Sequence, residues 1–335
     1  MDIRTFDVFD DDLFHSYNQI YRAAELFERP DAPVWSEHEA AVTFRKPDDA
    51  EHWAAYAAFD GDTMVGSSFL ASPQLDNTHM TWGAVYVAPE LRRRGIGGEL
   101  VEHLVRTTAE AGRPIILAEA SYDFARRDDH PYRRFAEKHG FALASTEISR
   151  VLGLPVPETQ LQAWIEEAAP HHTAYKVESY VGDLPDHILP SFCHVTNQLA
   201  LDAPTGDIEF EAEAITPEVW RQKEAKIKEQ GRTLLTTVAA DERGEAVAVT
   251  NMAAPGDDPA KVFQWATLVL RGHRGHRLGL AIKARNLLEL QRLLPDRRQV
   301  WTSNEEHNGP MLDINVKMGF EPVEILAEFQ RKLDV

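Results

Sequence analysis

The sequence predicts a mixed α/β protein built as two copies of one domain. Two repeated signals in the same order carry the duplication, and strand-like runs alternating with helical patterns carry the class. In VYVAPELRRRGIGGELVEHLV (Val85 to Val105) an apolar run leads through a basic, glycine-rich turn into an apolar helical pattern. LRGHRGHRLGLAIK (Leu270 to Lys283) follows the same plan. Placing Arg92 on Arg274 also places Val87 on Val269 and Gly97 on Gly279, 182 residues apart in each case. Further on, EKHGFALAS (Glu137 to Ser145) answers VKMGFEPVE (Val316 to Glu324) at a spacing of 179 residues. One duplicated domain explains both echoes better than two unrelated domains do.

Each copy reads in the same order. WAAYAAF and TMVGSSFL flank Asp60-Gly61-Asp62, and LLTTVAA and AVAVTNM flank Asp241 to Glu245, each a hairpin signal. A further strand follows, HMTWGAVYV or KVFQWATLVL, rich in β-branched and aromatic residues. After the basic turn comes a helix; Leu100, Val101, Leu104 and Val105 line one stripe in the first copy, and Leu280, Lys283, Leu287 and Leu288 mark the corresponding helix of the second. IILAEA and QVWTSN are the next strands. A short helix then ends at Gly140-Phe141 or Gly319-Phe320, where glycine suits a left-handed cap. The prolines of GLPVPETQ divide the chain into residues 1–156 and 157–335.

Composition bounds the function. The chain has 335 residues, the length of two ordinary domains, and 43% of them are hydrophobic, enough for two cores. A single cysteine, Cys193, excludes an internal disulfide framework, offers no zinc cluster and reads as a buried thiol. No metal is expected. The acidic start MDIRTFDVFDDD has no apolar run, and nowhere do eighteen uncharged apolar residues follow one another, so a cytoplasmic protein without a membrane partner is expected. With 35 basic against 54 acidic residues and a net charge of −19, no nucleic-acid partner is expected either. Such acidity suits a cationic small molecule, or solubility alone.

The basic turn asks for an anion. A helix start leaves backbone N–H groups without intrahelical partners, the helix dipole adds to their pull, and arginine adds charge-assisted bonds to phosphate oxygens. The turn is no P-loop, since GxxxxGK[ST] is absent, and its glycines do not fit the dinucleotide GxGxxG. A solvated helix cap would use the same residues.

Val87, Arg92, Arg93, Arg94, Gly95, Ile96, Gly97 and Gly98 together resemble the acyl-CoA pyrophosphate loop of the GNAT acetyltransferases, whose pattern is Arg or Gln, any two, Gly, any one, Gly or Ala. Val269, Arg274, Gly275, His276, Arg277, Leu278 and Gly279 resemble it less fully, because Arg277 stands where the family has glycine; a tighter or rearranged loop is implied. The resemblance covers nearly the whole chain as a tandem pair. It implies in each copy a central, mostly antiparallel twisted sheet flanked by helices. Acetyl-CoA or a related acyl-CoA is implied as co-substrate, with the acyl group passing to a primary amine of a small molecule. Tandem copies in one chain suit a monomer or a small homo-oligomer.

The resemblance also implies an Asn-x-x-Ala-x-x-x-Tyr segment before the Gly-Phe, with Asn near the cofactor and Tyr near the leaving thiolate. Asn308 keeps that Asn, but Asn315 replaces the Tyr; the first copy reads Asp129, Tyr132 and Ala136 across the same spacing. Asparagine has no proton to give at neutral pH. The strand carboxylate of many members is missing too, with Trp82, Gly83 and Ala84 or Gln264, Trp265 and Ala266 in its place. Candidates for the chemistry are therefore Asn304, Glu306 and Asn315 in the second copy and Tyr132 in the first, with Glu119 and Tyr122 nearby in sequence. ALDAPTGDIEFEAEAITPE (Ala200 to Glu218) adds an acidic wall, and an extended Ile208 to Ala214 would put Glu209, Glu211 and Glu213 on one side. Asn308 and that wall favour the second copy as catalytic, while the better turn lies in the first. A non-catalytic acyl-CoA-binding or regulatory protein is the alternative reading.

Overall fold

The computed structural model describes residues 1–202 and 204–335. They form two compact units that are not continuous stretches of chain. The first comprises Met1–Glu147, Gly206–Glu209 and Glu324–Val335; the second comprises Ile148–Thr205 and Phe210–Val323.

The first unit begins with β1 (Asp2–Thr5), α1 (Asp11–Glu25) and α2 (Glu37–Arg45). Asp10 caps α1 by accepting from Asp12 and Leu13 N–H, and Ser36 and Glu39 close a capping box on α2, so both starts are set by local chemistry. The hairpin β2 (Glu51–Asp60) and β3 (Thr63–Pro73) turns at the expected Asp-Gly-Asp. β4 (Met80–Tyr86), α3 (Ile96–Glu110), β5 (Ile115–Tyr122), α4 (Pro131–Lys138) and β6 (Ala142–Gly153) follow. The chain continues with α5 (Glu158–Ala168), β7 (Lys176–Val181), α6 (Leu189–Thr196), α7 (Leu199–Asp202), α8 (Pro217–Glu229), β8 (Thr233–Ala240), β9 (Ala246–Ala254), β10 (Lys261–Val269), α9 (Leu278–Leu293), β11 (Gln299–Glu305), α10 (Gly309–Met318) and β12 (Glu321–Lys332).

Strand order in the first unit is β1-β2-β3-β4-β5-β12, antiparallel except for β4 with β5. The second unit repeats it as β7-β8-β9-β10-β11-β6, with β10 and β11 parallel. On one face of the first sheet α1 and α2 bury Phe14, Tyr17 and Ala40 against Ala55, while on the other α3 sets Ile96 and Leu100 against Ala58. In the second unit α5 and α9 bury Leu161, Trp164, Leu280 and Leu287 against Leu235, Met252 and Val300. No helix among the described residues is long and apolar enough to cross a membrane.

A cut at residue 156 would leave β6 wholly in the first unit and β12 in the second. The compact units divide otherwise: from Ile148 β6 belongs to the second unit, and β12 from Glu324 belongs to the first. β12 closes the open edge of β5 over eight residue pairs, Ile325 with Tyr122 through Lys332 with Ile115. An exposed edge there would leave a row of backbone groups unpaired.

The acidic stretch after Ala200 forms no strand, and so builds no one-sided wall of Glu209, Glu211 and Glu213; its Ala203 lies outside the described residues. Cys193 is buried, and burial pushes its thiol up to about 11, as an inert cysteine requires. The strand assignment predicts that a chain ending at residue 323 loses hydrogen-exchange protection at Ile115–Tyr122 while keeping it in β8 and β9. Equal loss in both regions would contradict that assignment.

Candidate functional site

In the first unit Arg92 fixes the chain as it leaves β4. Its Nε donates to the Val87 carbonyl at 3.1 Å, Nη2 to the Ala24 carbonyl at 3.3 Å and Nη1 to the Tyr132 hydroxyl at 3.3 Å, and its guanidinium lies 4.5 Å from the Phe27 ring centre. Arg92 is a strut. Past it the backbone turns left-handed at Arg93 (φ 65°) and Gly95 (φ 90°), and α3 begins. Glu99 N–H is the first to bond back, to the Gly95 carbonyl at 3.2 Å, which leaves the preceding N–H groups at the open helix start for an anion. A Cβ on Gly97 would lie 3.3 Å from Phe135 Cζ and 3.8 Å from Val87 Cγ2, so glycine allows the close packing that brings the helix start to the turn. Arg93 and Arg94 have no carboxylate partner among the described residues; Arg94 donates to the Glu90 carbonyl at 3.2 Å.

The second unit keeps this backbone. Gly275 (φ 85°) and Arg277 (φ 52°) take the two left-handed positions, Arg274 Nε donates to the Val269 carbonyl at 3.1 Å, and Gly279 packs beneath Ile314. Arg277 therefore leaves the turn unrearranged, at a backbone cost of about 1 kcal/mol for a non-glycine residue. What changes is the charge. Arg271 and Arg274 are bound by Asp202 at 2.6 and 2.8 Å, and Arg277 by Glu167 at 2.6 Å. His273 meets the Tyr175 hydroxyl at 3.0 Å, and His276 the His171 carbonyl at 3.1 Å. Every basic side chain of that turn has a partner within its own unit.

In each unit the parallel strands part after three residue pairs. Met80 to Trp82 pair with Ile115 to Leu117, and Lys261 to Phe263 with Gln299 to Trp301. Beyond those pairs β4 and β5, like β10 and β11, leave facing edges whose backbone groups lack strand partners. A slot opens there.

Around the first slot stand carboxylates. Glu119 of β5 lies directly opposite Glu328 of β12 in the antiparallel register. Its side chain reaches solvent while the body of the unit surrounds it. Desolvation, with Glu328, Glu147 and Glu25 adding like charge, pushes its carboxyl up to about 8. Glu328 and Glu25 are raised as well, chiefly by desolvation. Tyr21 and Tyr86 meet edge to face at 5.0 Å beside them, and Arg29 is held between Glu25 and Glu324 at 2.7 to 2.8 Å.

The residues expected to carry the chemistry are placed differently. Tyr132 accepts from Arg92, and Tyr122, buried against the His130 ring at 4.5 Å, has its phenol raised by desolvation. In the second unit Asn315 is fully buried, accepting from Lys283 Nζ at 2.9 Å and donating to Asn304 Oδ1 at 2.6 Å. Asn304 is thereby held at the end of this chain of bonds, and Glu306 is half-buried with His307 Nε2 at 3.8 Å. Asn308 precedes α10 without a side-chain cap bond. The turn residues gather at each helix start as a group, while Glu328, which no motif marks, reaches the site from the far end of the chain. The one hint was a glutamate inside an apolar strand, in IILAEA and again in EILAEF.

The model of the acetyltransferase (GNAT) family matches residues 12–141. Along 99% of its length the chain superposes on 98% of a tandem GNAT protein from the clavulanic acid biosynthesis pathway, with a TM-score of 0.78 and 23% identity. The chain has the tandem GNAT fold. A GCN5-related N-acetyltransferase from Sphaerobacter thermophilus is similar over the whole chain and 97% of its own, at TM-score 0.63 and 14% identity. A glucosamine N-acetyltransferase region of a fungal multi-domain GH3 β-N-acetylglucosaminidase matches 98% of the chain and 38% of its own, at TM-score 0.62 and 15% identity. No curated protein sequence matches.

The two GNAT units differ at one telling pair. Val101 and Ala136 of the first correspond to Lys283 and Asn315 of the second. Lys283 is 1% exposed, faces the Phe320 ring at 5.2 Å, and burial lowers its amine to about 7. A base whose pKa falls on folding binds fewer protons in the native state between about 7 and its unfolded value, so stability rises with pH across that window. Lys283→Met should be more stable than the wild type at pH 6 by at least about 1 kcal/mol, the gap narrowing toward pH 10. Urea unfolding at the two pH values checks this; an equal gap at both would contradict it.

Proposed function

We propose that the chain is an acyl-CoA-dependent N-acyltransferase, moving acetyl to a primary amine of a small cationic acceptor, and that the first GNAT unit does the chemistry. The coincidence in that one unit of a basic turn whose arginines meet no carboxylate among the described residues, a parted strand pair, and a Glu119 set opposite Glu328 and pushed up by its surroundings supports this reading. A thioester supplies an electrophilic carbonyl and a thiol leaving group. The chain's own residues do the rest. The N–H groups at the start of α3, with Arg93 and Arg94, suit the diphosphate of coenzyme A. The facing edges of β4 and β5 suit the amides of its pantetheine arm, as a strand edge suits an added strand.

Glu119 acts as the general base. A base must be free of its proton near working pH yet strong enough to take one from an ammonium group, and a carboxyl raised to about 8 meets both needs better than an ordinary one. Clustered carboxylates draw a cation, and a bound cation in turn favours their ionised forms. Tyr21 and Tyr86 add aromatic faces that suit an alkylammonium. Ala136 and Asn315, where the leaving thiolate would meet a tyrosine, favour the acyl-CoA-binding reading instead; release of coenzyme A in the presence of any amine decides against that reading.

Glu119→Gln should lower kcat by about 10²- to 10⁴-fold with little change in KM for acetyl-CoA. In the wild type kcat/KM should rise with pH to an inflection near 8 and lose it in the variant. A carboxyl whose pKa rises on folding is protonated only in the native state between its unfolded value and about 8, so its contribution falls as pH rises through that window. The variant should therefore melt higher than the wild type at pH 8.5 and alike at pH 4. Unchanged turnover in Glu119→Gln would remove it from the chemistry.

A further inference from the structure

In the second GNAT unit the place for an anion is already taken. Asp202 ends α7 with only 6% of its side chain exposed, and its two oxygens accept separately from Arg271 Nε at 2.6 Å and Arg274 Nη2 at 2.8 Å. Two charge-assisted bonds to one carboxylate are how arginines hold a phosphate or a free acid. Arg274 corresponds to Arg92, which in the first unit meets backbone carbonyls, a tyrosine hydroxyl and a ring. No carboxylate meets Arg92, Arg93 or Arg94 among the described residues.

We propose that Asp202 is the resident anion of the second turn, and that the chain therefore takes one acyl-CoA, in the first unit. This rests on the reading of the first turn as a diphosphate site. The backbone cannot be what separates the two, because both turns have the same pair of left-handed residues and the same glycine under the following helix. Charge separates them. A tethered carboxylate competes at an effective concentration of about millimolar or more, so a diphosphate entering the second turn must displace it. Displacement would also strip a nearly buried carboxylate of both its cations, which is strongly opposed. Glu167 neutralises the next cation along, Arg277, at 2.6 Å.

Asp202→Asn keeps the shape of the side chain and removes its charge. Calorimetric titration with coenzyme A should give one site per chain for the wild type and two for Asp202→Asn. Two sites in the wild type, or one in a variant that melts like the wild type, would overturn the proposal. If the variant melts early, arginine modification by phenylglyoxal with peptide mapping decides on the wild type alone. Arg93 and Arg94 should react readily and be protected by coenzyme A, while Arg271 and Arg274 react slowly with or without it. Ready reaction of Arg271 and Arg274, abolished by coenzyme A, would overturn the proposal. No binding to the wild type would refute the diphosphate reading of the first turn, and the reactivity of Arg271 and Arg274 in the free chain would still decide whether Asp202 holds them.

Discussion

Everything in this fold turns on a parallel strand pair that lasts only three residues. In a sheet otherwise built of long antiparallel ladders, β4 and β5 separate after Trp82 and Leu117, and β10 and β11 after Phe263 and Trp301. Backbone donors and acceptors without partners in the middle of a domain must be answered by something. The strand leading into each slot runs straight on to the turn and the helix start, so the direction of the chain aligns the slot with a place for an anion. Duplicating this arrangement gives two slots with the same backbone. Their side chains then decide what each does.

In the first unit polar and charged groups gather without being neutralised. Arg93 and Arg94 lack carboxylates at one end of the slot, and Glu119 and Glu328 face each other across paired strands at the other. Like charges so placed cost stability, as the upward pull on Glu119, Glu328 and Glu25 records. In the second unit the corresponding cations are neutralised by Asp202 and Glu167, and beside its slot Lys283, Asn315 and Asn304 close a chain of bonds among themselves. One copy holds unmet electrostatic demand, and the other satisfies its own. Unmet demand is what a ligand relieves.

Much of this arrangement is legible in the sequence. The hairpins at Asp60-Gly61-Asp62 and Asp241 to Glu245, the basic turns and the caps at Gly140 and Gly319 follow from local chemistry, and each lies where the sequence puts it. What the sequence leaves open is pairing over distance. ALASTEISRVLG and EPVEILAEFQRK read alike as strands, and nothing in their alternation says which sheet each completes. For the same reason Glu328 could not be matched to Glu119, nor Asp202 to Arg271 and Arg274. The acidic stretch after Ala200 reads as a wall for a cation; its Asp202 instead serves as a counter-ion to the turn.

We place the acyl donor at the basic turn of the first unit and not at that of the second. Titration of acetyl-CoA into the wild type and into Arg93→Glu/Arg94→Glu tests it most directly, since both side chains are solvent-facing and neither supports the fold through a carboxylate. Reversing two charges at a diphosphate should weaken binding by about 100-fold or more at unchanged melting temperature. Affinity within about twofold of the wild type, where such charge-assisted bonds should count most, would contradict the account.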